Sequence, residues 1–435
     1  MFFPANSVEW LTEKIGPLSV QRMPLPSGVH TLVRRTHEDR VLQLLRQHGG
    51  MTRGELAKHI GLSRTTLSEI SGNLISRGVV SVTIDDSPRV GRGRPAEILT
   101  LDPAAGQYLG VDFSHRRVRV AVMNAAHELI ASDVAPYEEP ADWGTRVELA
   151  LGLIERLAEA PELHYEGIQG VAIGFPGPFS PRLPRRRAEP VAEARRVGAE
   201  LVRTAFERRF GVPVLVDNNT RLAALGEAAW EPSTETEHLL YVRLSAGIGG
   251  GLVIGGRLVT GAAGFAGEFG HMSVAGSSVD CRCGKRGCLE TIASIDAILR
   301  RCTETGAAVT TLAELDAAAA KGDPIVIAAL REAGEAVGQV LGSLAVATNP
   351  ADIVIGGEVA HVSEVVVEQI AATVAYELVP VGGSTPRIRR AVLGDEGGAI
   401  GGIIALLRSS PLLAGYATLT ADDASAETRL RRSNA

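Results

Sequence analysis

The sequence predicts an α/β protein with a small helical head bearing a two-stranded wing, followed by a larger body of two lobes that mix strands and helices. Three observations carry that expectation. At 435 residues the chain is about three times a typical domain, and 45% hydrophobic residues supply more than one core. Apolar residues recur at helical spacings up to Leu74, and beyond Gly78 they alternate as in strands. Charge also changes along the chain: residues 31–100 hold eleven basic and seven acidic residues, whereas residues 101–435 carry a net −10.

Composition excludes several classes. With 22% charged residues and little low-complexity sequence the chain is not disordered, and no apolar run reaches the roughly 18 to 20 residues that span a bilayer. The opening MFFPANSVEWLTEK lacks the basic and apolar regions of a secretory signal, so a soluble, cytoplasmic protein without a membrane partner is expected. The net charge of −6 argues weakly against nucleic acid, but it averages a basic module with an acidic body. Forty of the 44 basic residues are arginine, a bias spread along the whole chain that gives any single arginine little weight.

Residues 1–30 contain four prolines and two glycines without sustained periodicity and read as an N-terminal extension. Next, Leu42, Leu45, Leu56, Ile60, Leu67, Ile70 and Leu74 fall in three helix-length blocks separated by Gly49-Gly50 and by Gly61. Thr52 and Glu55 form a capping box for the second helix, and Ser63 is a suitable N-cap for the third. VVSVTID and AEILTLD then alternate as two strands around a loop rich in Arg, Gly and Pro. Helix, helix, helix and wing make residues 31–102 a winged helix-turn-helix.

From Tyr108, YLGVDF, RVRVAVMN and ELIASDVAP read as three successive strands, followed by a helix near 144–160 and the strand GVAIGF. That order opens the ribonuclease-H-like half of actin-like ATPases and sugar kinases, so residues 106–225 are expected to form a first lobe. LLYVRLSAG, GGLVIGG, IVIGG and the long buried helix DPIVIAALREAGEAVGQVLGSLAVATNP belong to a second lobe, residues 226–390. A last helix around Gly398 to Arg408 lies in residues 391–410, which return to the first lobe, and residues 411–435 form a polar tail.

On the third helix of the head, Leu67, Ile70 and Leu74 mark the buried face and leave Arg64, Thr65 and Ser68 opposite. A helix laid in the major groove needs arginine for guanine edges and hydroxyl residues for bases or phosphates, so Ser63, Arg64, Thr65, Thr66 and Ser68 are candidate DNA contacts. Arg89, Arg92 and Arg94 on the wing loop add cations able to enter a minor groove. The competing reading is a helical interaction domain with a solvated basic face.

His271, Cys281, Cys283 and Cys288 lie within GHMSVAGSSVDCRCGKRGCLE and suffice for a closed, structural zinc site; a reduced cysteine loop is the alternative. Cys302 lies apart and reads as a small buried residue. The glycine-rich run from Ser245 to Gly251 leads from strand to strand, which excludes a dinucleotide-binding fingerprint and leaves either a ligand-facing loop or a tight hairpin. Gly174-Phe175-Pro176-Gly177 is equally a ligand-contacting turn or a chain reversal. Glu268 and His271, three residues apart among glycines, suit hydrogen bonding to vicinal hydroxyls.

Together these motifs resemble the ROK family of repressors, open reading frames and sugar kinases, in particular its regulators with an N-terminal winged helix. The resemblance spans about residues 35–410 and is most specific over Gly261–Glu290, where E-x-G-H and C-x-C-G-x-x-G-C-x-E signatures stand intact. It implies structural zinc on His271, Cys281, Cys283 and Cys288, and sugar contacts from Glu268, His271 and Glu290, with Asn218 and Asn219 in the segment that flanks the sugar. His271 would serve zinc and ligand together.

Two departures decide the expected activity. Kinases of the family carry Asp-x-Gly-x-Thr after the first strand, where this chain reads Asp112-Phe113-Ser114-His115-Arg116. Their Glu-Asn-Asp-x-Asn segment supplies a general base, where this chain has Asp217-Asn218-Asn219-Thr220-Arg221. Asn219 cannot accept the proton, and general-base catalysis is worth about 10²- to 10⁴-fold. An arginine-rich stretch from Arg182 to Arg187 also replaces a loop that usually carries Trp near the sugar. The expectation is a non-enzymatic regulator, a repressor of carbohydrate uptake or catabolism genes. It would bind an inverted-repeat operator in double-stranded DNA as a homodimer or homotetramer and respond to a sugar or sugar phosphate. The rivals are an ATP-dependent sugar kinase with an attached DNA-binding domain, and a ligand-independent architectural protein.

Overall fold

Apolar residues at helical spacing build the head: Leu42, Leu45, Leu56, Ile60, Leu67, Ile70 and Leu74 are all buried in one cluster. The computed structural model describes residues 37–409 except 39, 43, 46–47, 77, 85–96, 127, 139–140, 160–162, 164–166, 178–189, 231–235 and 379–384. The N-terminal extension, Arg89, Arg92 and Arg94 of the wing loop, the arginine-rich stretch 182–187 and the polar tail therefore lie outside the described residues. Described residues between 37 and 48 are helical and precede α1 (Arg53–Ile60) and α2 (Arg64–Ser76). The capping box forms: the Glu55 N–H donates to the Thr52 hydroxyl at 3.3 Å, and the Glu55 carboxylate accepts the Thr52 N–H at 2.8 Å. Gly61 stops α1 in the left-handed conformation.

The wing differs from its expected form. It has three strands, because β1 (Met51–Thr52) pairs with the far edge of β3 (Glu97–Leu101), whose other edge holds β2 (Val80–Ile84). Two residues are too few to show alternation, so this strand has no sequence signature.

The first lobe is built on β4 (Gln107–Phe113), β5 (Arg117–Asn124), β6 (Leu129–Pro136), β7 (Ile168–Phe175) and β8 (Val214–Asn218), in the order β6-β5-β4-β7-β8. The first three form an antiparallel meander, and β7 and β8 run parallel to β4. Helices α3 (Trp143–Leu157) and α4 (Pro190–Phe210) cover one face, where Leu153, Val202 and Phe206 meet Leu109, Val111 and Val120.

Helix α5 (Asn219–Ala229) follows β8 and is buried from Asn219 to Ala228, because it lies between the lobes. Ala223, Ala224 and Ala228 pack on the second sheet, formed by β9 (Leu239–Leu244), β10 (Ile248–Ile254), β11 (Arg257–Leu258), β12 (Asp352–Gly356) and β13 (Arg387–Arg390) in the order β11-β10-β9-β12-β13. Its opposite face is covered by α6 (Pro324–Thr348) and α7 (Glu364–Glu377), with Val337, Leu341 and Ile370 against Val242 and Ile355. The final helix α8 (Gly397–Ser409) returns to the first sheet, where Ile400 and Ile403 pack with Tyr108, Ala121 and Met123. It crosses α5 at Gly401, where a Cβ would lie 1.8 Å from the Leu222 carbonyl oxygen, so only glycine permits the approach.

A winged helix-turn-helix thus precedes a two-lobed, actin-like and ribonuclease-H-like α/β fold of the sugar-kinase type. No described helix is long and apolar enough to cross a membrane.

Candidate functional site

In the head, α2 turns Leu67, Ile70 and Leu74 inward and leaves Ser63, Arg64, Thr65, Thr66 and Ser68 exposed. Ser63 is committed to capping: its hydroxyl accepts the Thr66 N–H at 3.1 Å and lies 2.8 Å from the Thr66 hydroxyl. Arg64, Thr65 and Ser68 remain as the outward side chains with reach. Arg53 holds this face in place by donating to the Ser71 hydroxyl on α2 at 3.0 Å and pairing with Glu97 on β3.

In the second lobe, one ligand atom each from His271, Cys281, Cys283 and Cys288 falls within 4.8 Å of the others, a grouping that could hold a metal ion. Antiparallel bridges between Ser273 and Cys288 and between Asp280 and Arg286 fold the segment into a knuckle. Cys302 is fully buried in the hydrophobic core nearby.

Between the lobes lies a cleft of about 650 Å³ that brings together Asn218, Asn219, Glu268, His271 and Glu290. Each is placed by a different device. Gly267 (φ +94°) packs so tightly on β10 that a Cβ would lie 2.3 Å from the Gly250 oxygen, which aims Glu268 at the cleft. Glu290, two residues after Cys288, accepts the Ile248 N–H at 3.1 Å and pairs with Arg282 Nε at 2.9 Å. The knuckle therefore delivers both members of that pair. The run Ser245–Gly251 forms the β9–β10 hairpin, and its part from Ser245 to Gly249 lines the cleft. Burial pushes the Glu268 carboxyl above its ordinary value, opposed by Arg221 and Arg195.

The two asparagines are tied to the fold. Asn218 caps α5, its oxygen accepting the Thr220 and Arg221 N–H groups at 2.9 and 3.0 Å while its amide donates to the Gly177 oxygen at 2.8 Å. The Asn219 amide donates to Asp112 at 3.0 Å and to the Phe113 oxygen at 3.2 Å, which leaves its carbonyl oxygen for the cleft. Asp112 itself is only 3% exposed. Burial raises its carboxyl above the usual range, opposed by Arg243 and Asn219.

Ion pairs cross the side of the cleft where the phosphate-loop segment turns. Arg117 reaches Glu358 at 2.7 Å and Asp395 at 3.0 Å, while Arg243 lies 3.8 Å from Asp112 and 3.7 Å from Asp395. The turn also closes on itself through Ser114, whose hydroxyl donates to the Arg117 oxygen at 3.0 Å.

A family model described as the ROK family matches residues 108–409. The chain belongs to the ROK family. A second model, described as winged helix-turn-helix DNA-binding, matches residues 38–81, so this ROK protein carries that module at its N-terminal side. The xylose repressor of Caldicellulosiruptor bescii is 27% identical over 356 residues, which span 79% of this chain and 88% of the repressor. A glucokinase of Halalkalibacterium halodurans is 29% identical over 68% of this chain and 93% of its own. The crystal structure of a ROK family transcriptional regulator, a homolog of the Escherichia coli MLC protein, shares the fold with a TM-score of 0.69 at 24% identity, covering 86% of this chain and 96% of that one.

Several residues that shape this ROK cleft were not legible as site residues: Arg117, Arg195, Arg221, Arg243 and Arg282. Arg221 is 2% exposed, pairs with Asp217 through Nε at 2.9 Å and donates to the Gly264 oxygen, tying α5 to the loop that carries Glu268. Its position four residues after Asp217 is a pairing signal on a helix start.

Proposed function

We propose that this ROK protein is a DNA-binding transcriptional regulator, a repressor of carbohydrate uptake or catabolism genes, whose kinase-like body senses a sugar or sugar phosphate without phosphorylating it. The observation that carries this reading is Asn219. At the position of the general base stands an amide whose two N–H groups are consumed by Asp112 and the Phe113 oxygen. The exposed face of α2 supplies the other half, with Arg64 reading base edges and Ser63, Thr65, Thr66 and Ser68 positioning the helix, supported by wing cations Arg89, Arg92 and Arg94.

In this reading the protein acts in the cytoplasm as a homodimer or dimer of dimers. Two heads then read half-sites about 34 Å apart, matching an inverted repeat. Ligand held by Glu268, His271, Glu290 and the two asparagines alters lobe closure and hence the spacing of the heads. It releases DNA by binding the DNA-incompetent state more tightly.

Zinc is the metal that suits the knuckle. Bond lengths of about 2.3 Å to sulfur and 2.0 Å to nitrogen give tetrahedral edges of about 3.5 to 3.8 Å. The Cys283 and Cys288 sulfurs lie 3.6 Å apart and His271 Nδ1 lies 3.7 Å from the Cys281 sulfur. With four protein ligands the ion would be structural, cross-linking the segment that carries Arg282 and Glu290.

Selection of genomic fragments by the full-length protein at near-physiological salt tests the reading. Enrichment of an inverted repeat beside sugar transport or catabolic genes is expected, and its absence would count against it. The likeness to a glucokinase keeps a kinase reading in play. Hexose-dependent ADP release that is abolished by Glu268→Gln would establish it.

A further inference from the structure

Arg195 has no place in the sugar contacts described above, yet it stands in the cleft. It projects from α4 across the turn at Gly177, its guanidinium carbon 3.3 Å from where a Cβ on that glycine would lie. The same glycine's carbonyl accepts the amide of Asn218, so Arg195 lies beside the start of α5. It is half-buried and makes no hydrogen bond among the described residues, although a guanidinium carries five N–H donors.

Arg282 converges on the same space from the opposite lobe. Its Nε is engaged by Glu290, while its Nη2 lies 3.3 Å from the Cβ position of Gly247 on the glycine-rich hairpin. The two guanidiniums repel one another, and burial adds to the cost of the Arg195 charge. Glu290 is paired with Arg282 and Glu268 faces Arg195 and Arg221, the latter already held by Asp217, yet among the described residues no carboxylate comes within ion-pair distance of the Arg195 guanidinium. Of the arginines on the cleft lining, Arg117 is paired with Glu358 and Asp395, Arg243 lies near Asp112 and Asp395, and Arg282 is paired with Glu290, whereas Arg195 has no such pair among the described residues. An anion held between two arginines turns their repulsion into shared attraction, and the planar forks match carboxylate or phosphate oxygens.

We infer that Arg195 and Arg282 form an anion subsite and that the effector is a negatively charged sugar derivative, a phosphorylated or carboxylated monosaccharide. This rests on the sugar-sensing reading above and narrows it to a chemical class. A neutral sugar would satisfy Glu268, Glu290 and His271 but leave Arg195 without an anionic partner from the ligand.

The test uses the full-length, metal-loaded protein. Calorimetry compares D-glucose and D-xylose with glucose 6-phosphate and D-glucuronate, and thermal melting at constant ionic strength compares inorganic phosphate with chloride. At least one charged sugar is expected to bind tenfold or more tightly than the neutral sugars, with phosphate raising the melting temperature saturably. Arg195→Ala and Arg195→Gln should erase the preference and the phosphate effect while changing neutral-sugar affinity less than about twofold; Arg195→Lys should keep part of both. A stronger phosphorylated arm identifies a phosphate subsite, and a stronger glucuronate arm a carboxylate subsite. Neutral sugars binding and releasing DNA as well as the charged ones, with Arg195→Ala silent, would overturn the subsite and leave sensing intact. No response to any sugar or to phosphate would overturn both.

Discussion

Asn219 differs from an aspartate by one amino group, and both N–H bonds of that group are in use. Asn219→Asp would place a second carboxylate about as close to buried Asp112 as the present 3.0 Å contact. We expect this change to cost about 2 to 4 kcal/mol in urea unfolding and to produce no sugar-dependent ADP release. Turnover in that variant would show that the missing base is the deciding catalytic deficit, whereas turnover by the unaltered protein would contradict the non-catalytic reading. At Arg64, loss of a bidentate base contact should cost about 1 to 3 kcal/mol of discrimination. Arg64→Ala is therefore expected to weaken operator binding tenfold or more and random-DNA binding far less, as read by competition; equal loss on both would remove the assignment. The cysteines, Glu268 and Asn219 were legible because each sits in a motif of fixed spacing. Arg195 and Arg243 were not, since forty of 44 cations are arginine and most such residues are solvated. Arg243 nevertheless had a local sign: it interrupts the apolar strand LLYVRL, and a charge in a buried strand requires a partner.

The knuckle and the hairpin turn are elements whose worth lies in what they carry. Cys283→Ser should lose the metal, lower stability by about 2 to 5 kcal/mol and weaken effector binding through displaced Arg282 and Glu290. One metal equivalent retained in that variant, measured by mass spectrometry, would count against the ligand set. The ion pairs joining the lobes predict an acid response. Burial alone would raise the Glu358 carboxyl, but the Ser245 hydroxyl, Arg243 and Arg117 hold it below its ordinary 4.5. A carboxyl depressed in the folded state contributes stability above its unfolded value and loses it as pH falls through the folded one. Unfolding free energy should therefore fall below about pH 4.5, and Glu358→Gln should flatten that limb while costing about 1 kcal/mol at neutral pH. An unchanged acid limb would show that the pair does not couple the lobes. Periodicity located the long strands and helices to within a few residues, as for the helix expected near 144–160 and found at Trp143–Leu157. It missed β1, whose two residues exist as a strand only because β3 offers an edge.

Across the whole molecule, α5 is the part both lobes share, with one side on the second sheet and another against α8. Its first turn carries Asn218 and Asn219, so a ligand that pulls on this turn acts on both lobes together. If paired heads read an inverted repeat, adding about 5 base pairs between half-sites should abolish tight binding by turning them to opposite faces, and adding about 10 should restore part of it. Equal affinity for all spacings would mean that the heads act singly. The order of modules was visible from the sequence, whereas the meeting of Arg117 with Glu358 and Asp395 was not, because hundreds of residues separate them and only the closed fold unites them. The return of α8 to the first sheet has a consequence for synthesis. The head leaves the ribosome with its own complete core, but the inner face of the first sheet stays uncovered until the last described helix emerges. A frameshift or premature stop anywhere in the body thus yields a reading head without a finished sensor. Such fragments would keep a folded head but lose the body that spaces two heads for an inverted repeat, so nonsense alleles near the end of this gene should bind operators weakly and behave as losses of repression.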